Sequence, residues 1–257
     1  MSEPWISVVI PAFNEEHGIA GAIEAARDWL DARDDRDYEM IVVDNASTDA
    51  TVERLAPFVD GHRVGLLAND RNRGKGYSVR RGMLAAHAPL RLHCDADCVG
   101  SFESLPGMLE LIAGCDVVVG SRLAPGNRVA RRQPVHRRLV GRTFVEVCRR
   151  VLGEPTRDLY CGFKLWRGEA AEEAYSRAQL DDWVFDAEVL AMARALGYRL
   201  CETGIVWADR DGSRLSMPRV LVPAVRDLMA TRRRVRREAV RPRVARGLVV
   251  EPSDRRP

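Results

Sequence analysis

The sequence predicts an α/β protein built on a mixed, mostly parallel sheet that is flanked by helices. Two observations carry this prediction. Short apolar runs alternate with segments of helical period through the first half of the chain, and a polar cluster follows nearly every apolar run. A chain of 257 residues is long enough for one large domain of this class. Such sheets bind ligands beyond the carboxyl ends of their strands, where these clusters are expected.

The first half reads as a regular alternation. Its predicted strands are residues 5–11, 38–43, 63–67, 90–94 and 116–120. Its predicted helices are residues 15–33, 47–59, 75–88 and 102–112. The first helix is marked by an apolar stripe that includes Ile19, Ile23 and Leu30, and the second by Ser47-Thr48-Asp49 as a start signal.

The second half is less regular. Its predicted helices are residues 136–152, 184–197 and 219–238. Residues 159–166 read as a loop and a strand, and residues 199–207 as a further strand. The predicted division is a catalytic domain at 1–217, a basic amphipathic helix at 218–240 and a disordered tail at 241–257.

Positive charge is concentrated in two stretches of a chain whose net charge is only +3. Residues 219–257 carry 12 Arg and 4 acids, and residues 122–150 carry nine Arg and one acid. Such clusters indicate anionic partners. The helix at 218–240 sets one apolar side against its Arg residues, which predicts contact with an anionic membrane surface. That apolar side consists of Val222, Val225, Leu228 and Met229.

The six cysteines show no paired spacing of the zinc-binding kind, so buried free thiols in a reducing cytosol are expected. No signal peptide precedes Trp5, and no apolar run approaches the roughly 18 residues that span a bilayer. These features predict a cytoplasmic protein, peripheral at the inner face of the membrane.

The motif with the most chemical content is Asp95-Ala96-Asp97, directly after the apolar run 90–94. Two carboxylates at a strand end can share one Mg²⁺ or Mn²⁺ with a substrate diphosphate, although an ordinary turn also favours Asp. The glycine-rich fingerprints of dinucleotide sites and P-loops are absent from the sequence. Lys75, within the segment 72–76, could approach a phosphate.

Several motifs together resemble the family 2 glycosyltransferases of the GT-A fold. They are PAFNEE at 11–16, VVDNASTD at 42–49, NRGKG at 72–76, DAD at 95–97 and GSR at 120–122. Three more resemble the branch of dolichyl- and polyprenyl-phosphate mannosyl- and glucosyltransferases: CGFKLW at 161–166, WVFDAEVL at 183–190 and RDGSRL at 210–215. The resemblance implies a single GT-A domain with a Rossmann-like sheet and a nucleotide-sugar donor.

The resemblance also implies roles for particular residues. The implied nucleotide-sugar site consists of Pro11, Phe13, Glu15, Asp44, Asn45, Lys75, Asp95 and Ala96. Asp95 and Asp97 would hold Mg²⁺ or Mn²⁺. Many relatives have Asp where this chain has Asn45, which leaves uracil and guanine open as the base. Val99 stands where dolichyl-phosphate mannose synthases often have Gln, which disfavours that assignment.

The implied catalytic residues are Asp97, Arg122, Arg210, Asp186 and Glu188, and the implied acceptor-phosphate residues are Arg131, Arg132 and Arg214. A lipid phosphate is already anionic and needs cations, whereas an alcohol acceptor needs a base. Asp186 and Glu188 are the candidate bases. Both also fit the start of a helix, where acids are favoured by the helix dipole.

The leading interpretation is an inverting, metal-dependent enzyme that moves a hexose from UDP-glucose, UDP-GlcNAc or GDP-mannose to a polyprenyl-phosphate-type lipid. The alternative is a soluble glycosyltransferase that acts on a hydroxyl of a small metabolite. Nucleic-acid binding is disfavoured because Trp and Tyr are not interleaved with the C-terminal Arg residues. A nucleotidyltransferase would carry a Gly- and Lys/Arg-rich loop where this chain has PAFNEE. The oligomeric state stays open.

Overall fold

The computed structural model describes residues 3–32, 36–129, 135–207 and 217–240. Its strands are β1 (Ile6–Ala12), β2 (Tyr38–Asp44), β3 (Val64–Ala68), β4 (Leu90–Cys94), β5 (Val117–Ser121), β6 (Arg128–Val129), β7 (Phe163–Arg167), β8 (Leu200–Gly204) and β9 (Val206–Trp207). Seven of them form one sheet in the order β3-β2-β1-β4-β7-β5-β8, and β6 pairs with β9. In the large sheet only β7 is antiparallel to its neighbours, which confirms the predicted mostly parallel sheet.

Helices cover the sheet on both faces. They are α1 (Ile19–Asp31), α2 (Thr51–Leu55), α3 (Lys75–Ala85), α4 (Leu105–Leu111), α5 (Val135–Leu152), α6 (Gly168–Arg177), α7 (Phe185–Ala195) and α8 (Met217–Val240). Short 3-10 turns lie at Ala56–Phe58 and Val99–Ser104. In the described part of the chain, no helix is long and apolar enough to cross a bilayer.

Successive residues of β1 point to opposite faces of the sheet and so divide the core in two. Val8 and Ile10 belong to the cluster that packs against α1, whereas Val9 belongs to the cluster under α3, α6 and α7. All three side chains are fully buried. A strand buried on both faces is mostly apolar, which is why this run shows no regular alternation of apolar and polar residues, although it includes the buried Ser7.

Two differences from the sequence prediction have local causes. Helix α1 begins at Ile19 rather than 15, because the preceding segment is bound to the start of α2: the Glu15 backbone N–H donates to Thr51 Oγ1 over 2.8 Å. Helix α6 was not expected. It follows β7 without a loop, and small side chains such as Ala170 and Ala174 bury its inner face.

Cys115 and Cys201 form a disulfide, so the expectation of six free thiols is wrong. Their Cα atoms lie 6.1 Å apart, because β5 and β8 are neighbouring parallel strands. The separation of 86 residues along the chain hides this proximity from a reading of spacing alone. Cys94, Cys98, Cys148 and Cys161 are buried and free. Since disulfides are rare in reducing compartments, the predicted cytosolic location stays a prediction.

Reduction of this disulfide should lower the free energy of unfolding by roughly 2–4 kcal/mol, because it releases a long loop in the unfolded chain. Urea unfolding with and without dithiothreitol measures the effect. A Cys115→Ser variant is the control, and its stability should not respond to the reductant. Equal stability of the wild-type chain in both buffers would contradict the prediction.

Helix α8 packs against α5 and α7. Leu228 and Thr231 are buried in this contact, while Val225 and Met229 are exposed. The helix is therefore docked on the domain by one side. The predicted boundary at residue 217 stays a prediction, and residues 241–257 lie outside the described residues.

Candidate active site

The predicted polar clusters meet at one edge of the sheet. Parallel strands β1, β2, β3, β4 and β5 all end there, and antiparallel β7 begins there. Phe13, Asp44, Asp95 and Arg122 follow or close four of these strands. The edge therefore gathers residues that lie more than 100 positions apart in the sequence.

The loops after β1 and β2 interlock to form one side of this edge. Asn14 and Ala46 both adopt left-handed backbone conformations, with φ of 55° and 60°. The Asn14 backbone N–H donates to Ser47 Oγ (3.0 Å), and Asn14 Oδ1 accepts from the Thr48 N–H (2.8 Å). Phe13 is exposed here, as an aromatic face for a nucleobase would have to be. Pro11 is buried within β1.

Asn45 joins β2 to the segment 72–76. Its Oδ1 accepts from Asn69 Nδ2 and from the Arg73 backbone N–H, each over 2.9 Å, and its Nδ2 donates to Asn72 Oδ1 over 2.9 Å. An aspartate could accept these bonds but could not donate the third. These three hydrogen bonds explain why an amide and not a carboxylate stands at position 45. The predicted contact of Asn45 with the nucleobase stays a prediction.

Lys75 and His93 hold Asp95. Lys75 Nζ lies 2.6 Å from Asp95 Oδ2, and His93 Nε2 lies 3.1 Å from Oδ1. Burial alone would raise the pKa of Asp95, but the Lys75 ammonium and the His93 bond lower it below its usual range. Burial opposes the charge on Lys75, yet the attraction of Asp95 and Asp186 raises the Lys75 pKa. Burial lowers the pKa of His93.

Asp95 and Asp97 have the chemistry of a site for a hard divalent cation. Burial and the negative charge of Asp95 raise the pKa of Asp97 to about 6. The raised pKa means that the charged form of Asp97 is disfavoured, and a cation shared by the two carboxylates would stabilise it. Within the described residues, no group of three or more His, Cys, Asp or Glu side chains could hold a metal ion. The two carboxylates would therefore need further oxygen ligands from substrate or water.

Gly162 leaves room for the Asp95 carboxylate. A Cβ atom at residue 162 would lie 1.8 Å from Asp95 Oδ2, so no larger residue fits without displacing the carboxylate. The Asp95 backbone N–H donates to the Gly162 carbonyl over 2.8 Å. Gly162, which directly precedes antiparallel strand β7, thus contacts Asp95 from the other side of the edge.

Lys164 and Asp186 form a buried ion pair beside this group, and Lys164 is not among the site residues predicted from the sequence. Lys164 Nζ lies 2.5 Å from Asp186 Oδ1 and donates to the Cys161 carbonyl over 2.6 Å. Asp186 Oδ2 lies 3.9 Å from Lys75 Nζ. A signal was available: Lys75 and Lys164 are the only lysines among 40 basic residues, and both meet Asp186.

Arg122 is fixed by Asp158, which is likewise not among the site residues predicted from the sequence. Its Nε and Nη2 each donate to the Asp158 carboxylate over 2.8 Å, and its backbone N–H donates over 2.9 Å. The Arg122 guanidinium also stacks over the Trp207 ring at 5.1 Å. Burial disfavours its charge, but Asp158 outweighs this and raises the Arg122 pKa.

The structure does not bring Glu188 to this group. Residues two apart on a helix face different directions. Asp186 therefore contacts Lys75 and Lys164, whereas Glu188 contacts Arg234 of α8. Glu188 accepts hydrogen bonds from Arg234 and from the backbone N–H groups of Gln179 and Leu180. Four further predicted residues, Arg131, Arg132, Arg210 and Arg214, lie outside the described residues.

A mostly parallel sheet with paired acids and a lysine at its carboxyl edge is the arrangement of a GT-A glycosyltransferase. The family model of glycosyl transferase family 2 matches residues 7–174, and the chain belongs to that family.

Curated relatives agree with this assignment. The chain is 27% identical over 242 residues to a dolichyl-phosphate beta-glucosyltransferase of Dictyostelium discoideum, which covers 89% of this chain and 74% of the relative. It is 30% identical over 227 residues to the dolichyl-phosphate beta-glucosyltransferase of Mus musculus, with 82% and 69% covered.

Solved structures share the fold. A glucosyl-3-phosphoglycerate synthase from Mycobacterium tuberculosis, in complex with Mn²⁺, UDP and phosphoglyceric acid, has a TM-score of 0.61 at 21% identity and covers 94% of this chain and 80% of its own. The mannosyltransferase PcManGT from Pyrobaculum calidifontis, in complex with GDP-Man and Mn²⁺, has a TM-score of 0.56 at 20% identity, with 83% and 59% covered. At these identities the likeness shows the fold alone.

Proposed function

We propose that this enzyme is an inverting, metal-dependent glycosyltransferase that moves a hexose from a nucleotide-sugar to a polyprenyl-phosphate-type lipid. The observation that carries the proposal is the grouping of Asp95, Asp97 and Lys75 at the carboxyl edge of the sheet. Relatives named as dolichyl-phosphate beta-glucosyltransferases favour a lipid phosphate as acceptor and glucose as the sugar. UDP-glucose is the first donor to test, followed by UDP-GlcNAc and GDP-mannose.

In this proposal the cations of the site stabilise the leaving diphosphate. Negative charge grows on the leaving group as the bond to the anomeric carbon breaks, and fixed cations stabilise it without having to reorganise. Lys75 offers an ammonium, and Arg122 is held rigidly by Asp158. Mg²⁺ or Mn²⁺ held by Asp95 and Asp97 would supply Lewis-acid stabilisation of the same charge.

The acceptor attacks the anomeric carbon from the face opposite the leaving group, which inverts the configuration. A lipid phosphate is anionic near pH 7 and needs no strong base, but it does need cations to hold it. We assign that role to Arg131, Arg132 and Arg214, and we assign to Arg210 a role toward the donor phosphates.

Contact with the membrane surface belongs to the same proposal. Val225, Arg226 and Met229 are exposed on α8, so a basic helix presents apolar side chains to its surroundings. Such a helix binds the interface of a membrane that contains anionic lipid. We therefore place the enzyme at the cytosolic face as a peripheral protein.

A second candidate is a soluble enzyme that glycosylates a hydroxyl of a small metabolite. The observation in its favour is the position of Asp186, whose buried Oδ2 lies 3.9 Å from Lys75 Nζ and accepts no hydrogen bond from the described residues. The surroundings of Glu188 disfavour it as the base.

We expect UDP-glucose with Mn²⁺ to raise the melting temperature more than Mn²⁺ alone, because a ligand at about 100 times its Kd stabilises by about 2.7 kcal/mol. UDP-GlcNAc and GDP-mannose with Mn²⁺ are the matched comparisons. The stabilising donor should then transfer its sugar to polyprenyl phosphate and not to the corresponding polyprenol. Transfer to the alcohol alone would contradict the proposed acceptor, and no shift with any donor would contradict the proposed site.

A further inference from the structure

A buried ion pair joins α8 to α7. Glu188, in the first turn of α7, is fully buried and accepts a hydrogen bond from Arg234 of α8. Arg234 also donates to Thr231 Oγ1 over 3.1 Å, and Thr231 and Leu228 are buried where the helices pack. Because a buried carboxylate is costly without a partner, the docking of α8 supplies the cation that Glu188 needs.

The other oxygen of Glu188 holds the loop that precedes α7, residues 179–183. Glu188 Oε2 accepts the backbone N–H of Gln179 over 3.0 Å and that of Leu180 over 2.8 Å. Charge-assisted bonds of this kind are about twice as strong as neutral ones. One carboxylate therefore ties α8 and the 179–183 loop together.

The 179–183 loop in turn rests on the start of α3. The Asp181 carbonyl accepts the Tyr77 backbone N–H over 3.3 Å, and the Asp181 carboxylate lies 2.6 Å from Arg80 Nη2. A Cβ atom at Gly74 would lie 2.3 Å from the Asp181 carbonyl oxygen, and one at Gly76 would lie 2.7 Å from the Leu180 carbonyl oxygen. The loop and the segment at 74–76 are therefore packed directly against each other.

Lys75 lies between those two glycines in the sequence and contacts Trp183, the last residue of the 179–183 loop. The Trp183 ring centroid lies 5.4 Å from Lys75 Nζ, and Trp183 is 42% exposed. An ammonium at this distance from an indole face is in cation–π contact. The loop thus sets both the surroundings of Lys75 and the position of an aromatic side chain at the site.

We propose that Arg234 and Glu188 are positioning residues for the active site. The pair fixes the 179–183 loop, and through it Trp183 and the segment that carries Lys75, although neither residue touches the reacting group. Helix α8 is then a working part of the catalytic domain as well as a surface helix. The connection runs from Arg234 to Glu188, from Glu188 to the loop, and from the loop to Lys75.

The test compares Arg234→Gln with Arg233→Gln, which removes the same charge from an exposed neighbour on the same helix. Trp183 fluorescence is isolated by subtracting the spectrum of a Trp183→Phe version of each variant. We expect the Trp183 emission to shift to the red and become more quenchable by acrylamide in Arg234→Gln. Arg233→Gln should leave it unchanged, and Arg234→Lys should restore it.

The second readout is hydrolysis of UDP-glucose with Mn²⁺. We expect kcat to fall at least tenfold in Arg234→Gln, while the loss is partly recovered in Arg234→Gln/Glu188→Gln because that change removes the unpaired buried charge. A lower melting temperature with unchanged Trp183 emission and unchanged kcat would overturn the proposal and leave a purely structural pair. A wild-type chain inactive on UDP-glucose would count against the proposed donor, and the fluorescence comparison alone would then support or overturn the positioning role.

Discussion

Asp97→Asn should reduce turnover by at least about a hundredfold while the chain stays folded, because it removes a carboxylate that would help to hold the divalent cation on the leaving diphosphate. Steady-state kinetics with the donor that binds best, with Mg²⁺ or Mn²⁺ present, measures the loss. Activity within about tenfold of wild type would contradict the assignment of Asp97 to the metal. Glu103→Gln, which changes an exposed acid of the 3-10 turn Val99–Ser104, is a matched charge control.

The same variant has a pH signature that needs no substrate. The pKa of Asp97 is raised from 3.8 to about 6 by burial and by Asp95, so between these values the folded chain binds more protons than the unfolded chain. Wild-type stability without a divalent cation should therefore fall as the pH rises from about 4 to about 6. Asp97→Asn should lack this fall and should gain no stability from Mn²⁺, as thermal unfolding at several pH values would show.

The first half of the fold and the gathering of candidate residues at the ends of β1, β2 and β4 are predictable because their signals are local. A buried run followed by polar residues identifies both a strand and the edge at which it ends, as at Cys94 and Asp95. Parallel pairing then brings such ends together whatever lies between them. Phe13, Asp44 and Lys75 fall at the predicted edge for this reason.

What could not be predicted depends on pairing between distant segments. Strand β7 enters the sheet antiparallel between β4 and β5, and only then do Gly162 and Lys164 meet Asp95 and Asp186. Asp158 has no periodic or motif signal, since its partner Arg122 lies 36 residues away. The disulfide of Cys115 follows from the neighbouring positions of β5 and β8.

Asp186 and Glu188 of α7 show that a sequence motif alone cannot assign different roles to two acids in the same turn of a helix. The motif at 183–190 placed Asp186 and Glu188 on equal terms, because a sequence gives both the same helix and the same turn. Burial and partners separate them: one carboxylate lies between two lysines and the other beneath Arg234. The choice of a candidate base therefore required the packing of α8 on α7, which no local pattern contains.

Asp186→Ala should destabilise the fold by about 3–5 kcal/mol, because it leaves the buried Lys164 ammonium without its carboxylate. The alanine variant is therefore a poor probe of chemistry, and Asp186→Asn, which keeps an oxygen near Lys164, is the better one.

For a phosphate acceptor we expect Asp186→Asn to lower the rate by well under the roughly 10²–10⁴-fold typical of a lost general base. Arg131→Ala and Arg132→Ala should instead raise the acceptor KM, because each removes a charge-assisted contact to a phosphate. Kinetics against polyprenyl phosphate decide the matter: an inactive but folded Asp186→Asn beside unaffected Arg variants would favour the hydroxyl acceptor and its base.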